Sequence, residues 1–332
     1  MITRLEIDNY KCIEHEDLEI KPLTIVTGLN STGKSTLIQS ILLIEQHSTQ
    51  NNIGLSTNYD VIKCRYSNQD EIRIQTTWEN NRTKTHTLSK TDRGTSICAT
   101  ELFVLEKGMY YLSANRSGAE DVVRLVDSDM VGSKGENIFG VFEHEKSLPV
   151  DEPLRRYKDS YTLQHQVDYW LSYILGIKLS LRTEKVSEEN LTIKYESDSL
   201  PNITPRNLGA GVSYLVKVLI LCLRAKKGNV LLIENPEIHL HPSAQAKLGE
   251  FLAFIVNAGI QVIVETHCEH LINRVQYAIY KKEVAHDKVL LLYKGGIVEK
   301  FQAIPFNTDG KFAVKFPDGF FDATLDELME ME

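Results

Sequence analysis

The stretch Gly28-Leu29-Asn30-Ser31-Thr32-Gly33-Lys34-Ser35 matches the pattern G-x-x-x-x-G-K-[ST]. It follows an apolar run at residues 23–27 and precedes a segment, Lys34 to Glu45, whose apolar residues recur at helical spacing. A strand, a glycine-containing loop and a helix start, in this order, form the setting in which such a loop binds phosphate. Its backbone amides curl around phosphate oxygens, and the helix start adds partial positive charge. The sequence therefore predicts a nucleotide site.

Side chains complete the predicted nucleotide site. We expect Lys34 to reach the terminal phosphates and Ser35 to ligate Mg²⁺, so the predicted cofactors are ATP and Mg²⁺. An ordinary glycine turn before a helix is the alternative, and the strand-loop-helix setting argues against it. The residues predicted to bind nucleotide are Lys11, Asn30, Ser31, Thr32, Gly33, Lys34, Ser35 and Thr36.

Composition limits the class of protein. With 332 residues and 42% hydrophobic content, the chain can bury the core of one large domain or two modest ones. The 37 basic and 45 acidic residues give a net charge of −8, so binding to nucleic acid would need a local basic face. Five widely spaced cysteines without a Cys-x-x-Cys pair argue against a disulfide frame. Without an apolar signal core or membrane-length run, a cytoplasmic protein that contacts no membrane is predicted.

Hydrophobic periodicity predicts α/β architecture. We expect strands at residues 2–7, 18–20 and 23–27, a loop from His47 to Leu55, and an antiparallel β-lobe from Val61 to Tyr111. The other predicted elements are a helix at Gln164 to Ile174, a β pair at 177–197, a helix at Ser213 to Arg224, a strand at Val230 to Ile233, a helix at Pro242 to Asn257 and a strand at Gln261 to Val264. The chain shows no heptad repeat, which leaves no room for long coiled-coil arms.

Acidic residues follow the apolar strand Val230 to Ile233. Glu234, at the strand end, is predicted to bind Mg²⁺ directly or through water. The next residue, Asn235, stands where a catalytic glutamate would be expected, and an amide cannot accept a proton. Glu237 is therefore predicted as the catalytic carboxylate, with a surface loop carboxylate as the equal alternative.

A second apolar strand ends at Glu265-Thr266-His267, which predicts His267 at the same sheet edge as Glu234 and the phosphate loop. We therefore expect a contact between His267 and the γ-phosphate. His239, His241, His267 and His270 could instead form a metal cluster. Their spacing lacks the pattern of a zinc site, so loop-cap histidines are the favoured interpretation.

The segment Asn207-Leu208-Gly209-Ala210-Gly211-Val212-Ser213 forms a second candidate anion site before an apolar helix. One phosphate site rarely needs two such loops. We therefore expect this one to complete the nucleotide pocket of a partner subunit, through Gly209, Gly211 and Ser213. A flexible glycine hinge is the alternative.

Together these motifs resemble the ABC-type ATPase heads of the SMC, Rad50, RecF and OLD branch, and more closely the small bacterial AAA-like ATPases with a DUF3696-type C-terminus. Besides the phosphate loop, the residues that carry the resemblance are Ile7 to Lys11, Tyr111 to Arg116, Val131 to Glu136, Asn207 to Ser213, Glu234 to Pro242, Glu265 to Arg274 and Pro317 to Asp322. The resemblance implies a P-loop NTPase head with a mixed sheet around the P-loop helix, an antiparallel β-lobe and a small helical insertion.

The resemblance also implies roles and boundaries. Ser213 and Gly211 resemble a signature loop that contacts the γ-phosphate in trans, Leu240 to Pro242 resembles a loop at the dimer interface, and His267 resembles the switch histidine. The glutamine that usually couples ATP to the outer lobe is not identifiable, and Arg116 is a candidate substitute. The expected divisions of a single head over residues 1–332 are a nucleotide-binding core at 1–46 and 206–300, an inserted lobe and helical region at 47–205, and a C-terminal segment at 301–332.

Two functions compete. In the first, a homodimer or higher oligomer forms around ATP, hydrolyses it and drives a DNA-directed partner in bacterial anti-phage defence or DNA repair. In the second, motivated by Asn235, a slow or non-hydrolysing scaffold holds an effector such as a nuclease or another toxin. A nuclease within this chain is disfavoured, because the residues after 280 show no acidic Toprim-like segment or H-N-H cluster.

Overall fold

A computed structural model describes residues 1–46, 55–56, 58–91, 94–99, 108–125, 130–317 and 320–321. The chain divides into two compact units, one formed by Met1–Val104 with Gln276–Glu332 and the other by Leu105–Val275. The strands are β1 (Ile2–Tyr10), β2 (Ile13–Glu19), β3 (Leu23–Gly28), β4 (Glu71–Trp78), β5 (Thr83–Thr91), β6 (Gly94–Ala99), β7 (Met109–Leu112), β8 (Val122–Arg124), β9 (Ser180–Lys185), β10 (Asn190–Glu196), β11 (Val230–Glu234), β12 (Gln261–Glu265), β13 (Val289–Lys294) and β14 (Gln302–Pro305). The helices are α1 (Lys34–Gln46), α2 (Tyr59–Ile62), α3 (Ile138–Glu145), α4 (Leu163–Leu175), α5 (Ala210–Arg224), α6 (Pro242–Asn257) and α7 (Glu269–Tyr280).

The first unit contains an antiparallel sheet with strand order β2-β1-β4-β5-β6. Alternation along its strands buries one face, where Ile7 of β1 is opposite Ile74 of β4. Helix α1 contacts β1, β4 and β5, and its apolar residues Leu37, Ile38 and Leu42 are buried. In the same unit β3 pairs in parallel with β13, and β14 pairs antiparallel with β13. All six residues of β3 are buried, as expected for a parallel strand covered on both faces.

The second unit is built around the parallel strands β7, β11 and β12, with β11 in the middle. Every residue of β11 and β12 is buried. Helix α4 contacts both α5 and α6, and its Trp170 packs against Phe251 and Phe254 of α6. A small antiparallel sheet has the order β8-β10-β9. This arrangement leaves the carboxyl ends of β7, β11 and β12 to carry the polar residues discussed below.

The predicted fold class is confirmed, and α6 has the predicted bounds. Several boundaries were wrong. The strand predicted at residues 18–20 is the end of β2, which begins at Ile13 and ends at Glu19. The predicted antiparallel lobe ran to Tyr111, but β7 pairs in parallel with β11. A four-residue strand does not reveal the direction of its partner by its own sequence. Helix α5 begins at Ala210 and not at Ser213, since glycine and alanine carry no apolar signal for periodicity to detect.

Three further comparisons concern individual segments. Helix α3 lies in the 120–160 region that periodicity described only as mixed and polar. The predicted loop from His47 to Leu55 falls almost wholly outside the described residues. Across the described part of the chain, no helix is both long and apolar enough to cross a membrane.

Candidate nucleotide site

The phosphate loop of the first unit connects β3 directly to α1. Gly28 has φ +136°, and a Cβ there would overlap the carbonyl oxygen of Lys294. Gly33 has φ +97°, and a Cβ there would overlap Sγ of Cys12. Ser31 is also left-handed, with φ +61°. These positions need glycine or a strained residue, and such a backbone turns successive N–H groups toward one concavity that binds anions.

Two side chains of the loop bond to its own backbone. Lys34 is 4% exposed, and its Nζ donates to the carbonyl oxygen of Leu29 at 2.5 Å. Thr32 Oγ1 donates to the carbonyl oxygens of Leu29, at 2.9 Å, and of Lys294, at 3.3 Å. The Leu29 amide also donates to the Lys294 carbonyl, at 3.1 Å. The loop is therefore held by the end of β13 and keeps a lysine ammonium at its centre.

Sequence reasoning missed the support from Lys294 and its partner Glu16. Both side chains are buried, and Lys294 Nζ lies 3.6 Å from Glu16 Oε1. The same carboxylate oxygen accepts the Phe301 amide at 2.8 Å, while burial raises the pKa of Glu16. A buried ion pair of this kind is stable only when further hydrogen bonds surround it. No local pattern in the sequence predicts such a pair.

The remaining predicted nucleotide ligands of the first unit lie on or beside this loop. Asn30 and Ser31 are exposed, Ser35 is half-buried, and Thr36 is buried in the first turn of α1. Lys11 has φ +53° and donates to Gln39 Oε1 of α1 at 2.5 Å, and burial lowers its pKa. Lys11 is thus tied to the helix that follows the loop, and its role as a nucleotide ligand stays a prediction.

In the second unit, an acidic turn, defined here as Glu234 to Glu237, follows β11. Glu234 is buried, and its Oε2 accepts the Ala114 amide at 3.0 Å. Arg116 donates to the carbonyl oxygens of Glu234, at 2.8 Å, and Asn235, at 2.6 Å. Asn235 itself has φ +41°, a left-handed conformation that asparagine tolerates better than most residues. The turn is therefore bound to residues that lie about 120 positions earlier in the sequence.

Glu237 is a buried carboxylate at the end of the acidic turn. It is 7% exposed, and its Oε1 accepts Thr266 Oγ1 at 2.6 Å. Oε2 has no hydrogen-bond partner among the described residues. Burial raises the pKa of Glu237, against the opposing effect of hydrogen bonds from Thr266 and from the backbone at Glu237 and His267, and of the Arg116 charge. A carboxylate with a raised pKa and an unused oxygen has the properties of a general base.

The histidines do not gather into one cluster. His241 caps α6, with its Nδ1 accepting the Ser243 amide at 3.3 Å, and the His239 ring lies 5.7 Å from the Tyr214 ring. His267 is exposed and directly follows the buried Thr266. Within the described ranges, no three His, Cys, Asp or Glu side chains are placed to hold a metal ion. The metal-cluster alternative therefore has no geometric support there.

The second anion loop divides into exposed and buried parts. Gly209 is exposed at the N-cap of α5, while Gly211 is buried beneath the His239 carbonyl. Ser213 is 2% exposed and lies within the helix, because α5 begins three residues before the predicted start. Gly209 is therefore exposed at the start of the helix, whereas Ser213 is buried about one turn further along it. A cavity of about 170 Å³ is lined here by Gly209, Gly211, His239, Leu240, His241 and Ser243, among others.

The donor types predicted for Mg²⁺ fit that ion. The Ser35 hydroxyl and the Glu234 carboxylate supply oxygen only, which is the ligand type that Mg²⁺ prefers. Tyr111, at the end of β7, is affected by the same carboxylate. Its pKa is raised first by burial and then by the negative charge of Glu234. The assignment of both residues to Mg²⁺ stays a prediction.

Two family models match this chain. A family model described as "AAA domain, putative AbiEii toxin, Type IV TA system" matches residues 67–273, and a second, "AAA ATPase domain", matches residues 1–120.

Two curated relatives carry related names. An OLD nuclease from Thermus scotoductus is 41% identical over 44 residues, or 13% of this chain and 8% of the relative. A putative ABC transporter ATP-binding protein from Clostridium tetani is 24% identical over 221 residues, or 63% of this chain and 46% of the relative. The chain therefore spans less than half the length of either relative.

One solved structure shows the fold. The SMC head bound to the C-terminal winged-helix domain of ScpA is 11% identical, with a TM-score of 0.57 over 92% of this chain and 97% of the other.

Proposed function

We propose that this chain binds ATP with Mg²⁺ and hydrolyses it. The premise is that it belongs to the AAA domain family and is an ABC-type ATPase head of the SMC, Rad50, RecF and OLD branch. The observation that carries the proposal is the phosphate loop, where Lys34 lies at the centre of a left-handed backbone between β3 and α1. Bound ATP would take the place of the Leu29 carbonyl as partner of the Lys34 ammonium.

The catalytic part of the proposal rests on the acidic turn. We assign Mg²⁺ coordination to Ser35 and Glu234, general base catalysis to Glu237 and a γ-phosphate contact to His267. Glu237 is a better candidate for the general base than Asn235, because only a carboxylate can accept the proton of the attacking water. Mg²⁺ would supply charge neutralisation at the phosphates when bound.

The test of ATP binding is Lys34→Ala. Loss of the ammonium should weaken ATP binding by about a hundredfold, the effect of losing about 2.7 kcal/mol of charge-assisted hydrogen bonding. Binding of a fluorescent ATP analogue and release of phosphate would measure both steps. Lys90→Ala, which removes an exposed lysine paired with Asp60 in the same unit, is the matched control. Unchanged affinity in Lys34→Ala would overturn the site.

We further propose that two copies assemble around ATP through the second anion loop. Gly209 allows a sharper test than the buried Ser213, because its φ is −58° and nothing lies within 4 Å of an added Cβ. Gly209→Arg should therefore fold normally and block the approach of a second copy, while Gly209→Ala should not. Sedimentation velocity with ATP and Mg²⁺ should show a mass increase for the wild type and Gly209→Ala only. No increase in the wild type would contradict the dimer.

A second candidate function is a slow scaffold, which Asn235 favours because an amide stands where a catalytic glutamate is expected and cannot accept a proton. In that case ATP would hold an effector such as a nuclease or another toxin, and turnover would stay near the level of Lys34→Ala while binding remained tight. Comparing ATP affinity with steady-state turnover separates the two functions. For either function, the partner protein, DNA binding, a defence or repair role and a cytoplasmic location are proposals. The partner proposal draws on the names of an OLD nuclease and of an SMC head bound to ScpA.

A further inference from the structure

Arg116 is a buried cation. Among the described residues, its hydrogen-bond partners are all backbone carbonyl oxygens. It is 3% exposed, and its two terminal nitrogens donate to the carbonyl oxygens of Ser113, Glu234 and Asn235. Burial lowers the pKa of Arg116 to about 10, which still leaves the guanidinium charged at neutral pH. A buried charge of this kind is costly, so its hydrogen bonds are central to the local structure.

Two of the carbonyls that Arg116 holds, those of Glu234 and Asn235, belong to the part of the acidic turn with a left-handed backbone. Asn235 has φ +41°, and a left-handed residue other than glycine costs about 1 kcal/mol or more. Its amide donates to the Glu265 carbonyl at 2.7 Å, so both sides of its peptide unit are fixed. The direction in which the chain leaves Asn235 sets the position of Glu237 two residues later. Arg116 therefore holds the backbone just before Glu237, while Thr266 holds the Glu237 carboxylate itself.

Tyr214 connects Arg116 to the second anion loop. The Arg116 guanidinium lies 5.7 Å from the centre of the Tyr214 ring, and that ring lies 5.7 Å from the His239 ring. Tyr214 belongs to the second turn of α5, close behind Gly209 at the exposed start of the helix. Gly211 fits so closely under the His239 carbonyl that no larger residue has room. The start of α5 therefore touches the segment that continues from Glu237.

Lys217 holds the same helix to the Arg116 segment at a second point. It lies almost one turn after Tyr214 and is fully buried. Its Nζ donates to the carbonyl oxygen of Ser117 at 2.9 Å and to the Ser117 hydroxyl. Arg116 and Ser117 are neighbours, so a displacement of α5 would act on Arg116 through the backbone as well as through Tyr214.

We propose that Arg116 is a positioning residue for the acidic turn, and that the stack of Arg116, Tyr214 and His239 makes the position of Glu237 depend on the second anion loop. This inference rests on the proposed ATPase function.

The first test is Arg116→Lys. Lysine retains the positive charge but cannot span the two carbonyls with a planar fork. We expect kcat to fall by at least about tenfold while KM for ATP stays within about twofold, because the phosphate loop is not altered. Arg155→Lys is the matched control, since Arg155 also stacks on a tyrosine, Tyr161 at 4.8 Å, and donates to the Val150 carbonyl. Arg155→Lys should leave kcat unchanged.

Tyr214 supplies a second pair of variants. Tyr214→Leu removes the ring and should lower kcat in the direction of Arg116→Lys, whereas Tyr214→Phe restores the ring and should recover most of the rate. If both variants show the same kcat as the wild type, the proposed link through Tyr214 is wrong.

Amide hydrogen exchange gives a measurement that does not depend on hydrolysis. In the nucleotide-free protein, Arg116→Lys should speed exchange in a peptide covering residues 234–240 by about tenfold, with no change in a peptide from α4. If exchange responds in this way but the wild type turns over no more ATP than Lys34→Ala, the ATPase proposal fails and the positioning contact stands. Wild-type hydrolysis with unchanged kcat and exchange in Arg116→Lys would overturn the positioning role.

Discussion

The phosphate loop and the acidic turn are both short connections after buried strands, yet they are held in different ways. Backbone atoms and two glycines shape the phosphate loop, and its lysine bonds to a carbonyl only five residues away. Side chains shape the acidic turn, where Arg116 and Thr266 reach it from distant parts of the sequence. The phosphate loop can be identified from a motif because its glycines and lysine are close in sequence, although its support from the Lys294 carbonyl cannot. A turn held by distant side chains can be identified only by its partners.

Glu237→Gln should separate the two regions most clearly. We expect ATP affinity within about twofold of the wild type, because the phosphate loop is intact, and a fall in turnover of about a thousandfold through loss of the general base. Since burial raises the pKa of Glu237, wild-type turnover should decline on acidification at a higher pH than an ordinary glutamate would give. Phosphate release measured across pH provides both results.

The exposed Glu188 offers a control for that variant, because Glu188→Gln removes a surface carboxylate of the same unit. Wild-type turnover in Glu237→Gln would mean that another group activates the water, and the acidic turn would then have no catalytic part.

Gly28→Ala tests the backbone character of the phosphate loop. An added Cβ would overlap the Lys294 carbonyl at φ +136°, so we expect the free energy of unfolding to fall by about 3 kcal/mol or more. Gly209→Ala, at an ordinary φ with open space, should cost far less. Urea unfolding of both proteins would measure the difference. Equal stabilities would show that the loop relaxes to admit the added Cβ, contrary to the stated need for glycine at position 28.

Lys217→Met tests the side-chain character of the region around the acidic turn. Burial lowers the pKa of Lys217 from its ordinary 10.5 to about 8, so between these values the unfolded chain binds more protons than the folded one. Folding stability from this residue therefore rises with pH across that window. Relative to Lys217→Met, the wild type should gain up to about 2 kcal/mol between pH 7.5 and 9.5.

Urea unfolding at several pH values would follow this gain. The control is Lys185→Met, at an exposed lysine of the same unit, whose stability difference from the wild type should stay constant. A constant difference for Lys217→Met as well would mean that its ammonium is not desolvated in the folded protein.

Part of the candidate site was predictable because its signals are local. Glycine and lysine spacing located the phosphate loop, and two apolar strands located the positions of Glu234 and His267. The burial of Ser213 was not predictable, because it depends on where α5 begins, and the preceding Gly-Ala-Gly carries no periodic signal. The parallel pairing of β7 was missed for a related reason, since the residues of a short strand do not reveal the direction of its partner.

The sequence by itself determined that this chain has a phosphate loop, an α/β fold and a carboxylate after β11, because each depends on residues within a few positions of one another. Only the tertiary structure decided that Arg116 binds the carbonyls of Glu234 and Asn235, and that Glu237 is buried against Thr266. Those contacts join residues separated by 29 to 119 positions. Long-range hydrogen bonds and burial follow from how the whole chain packs, and no short pattern specifies them.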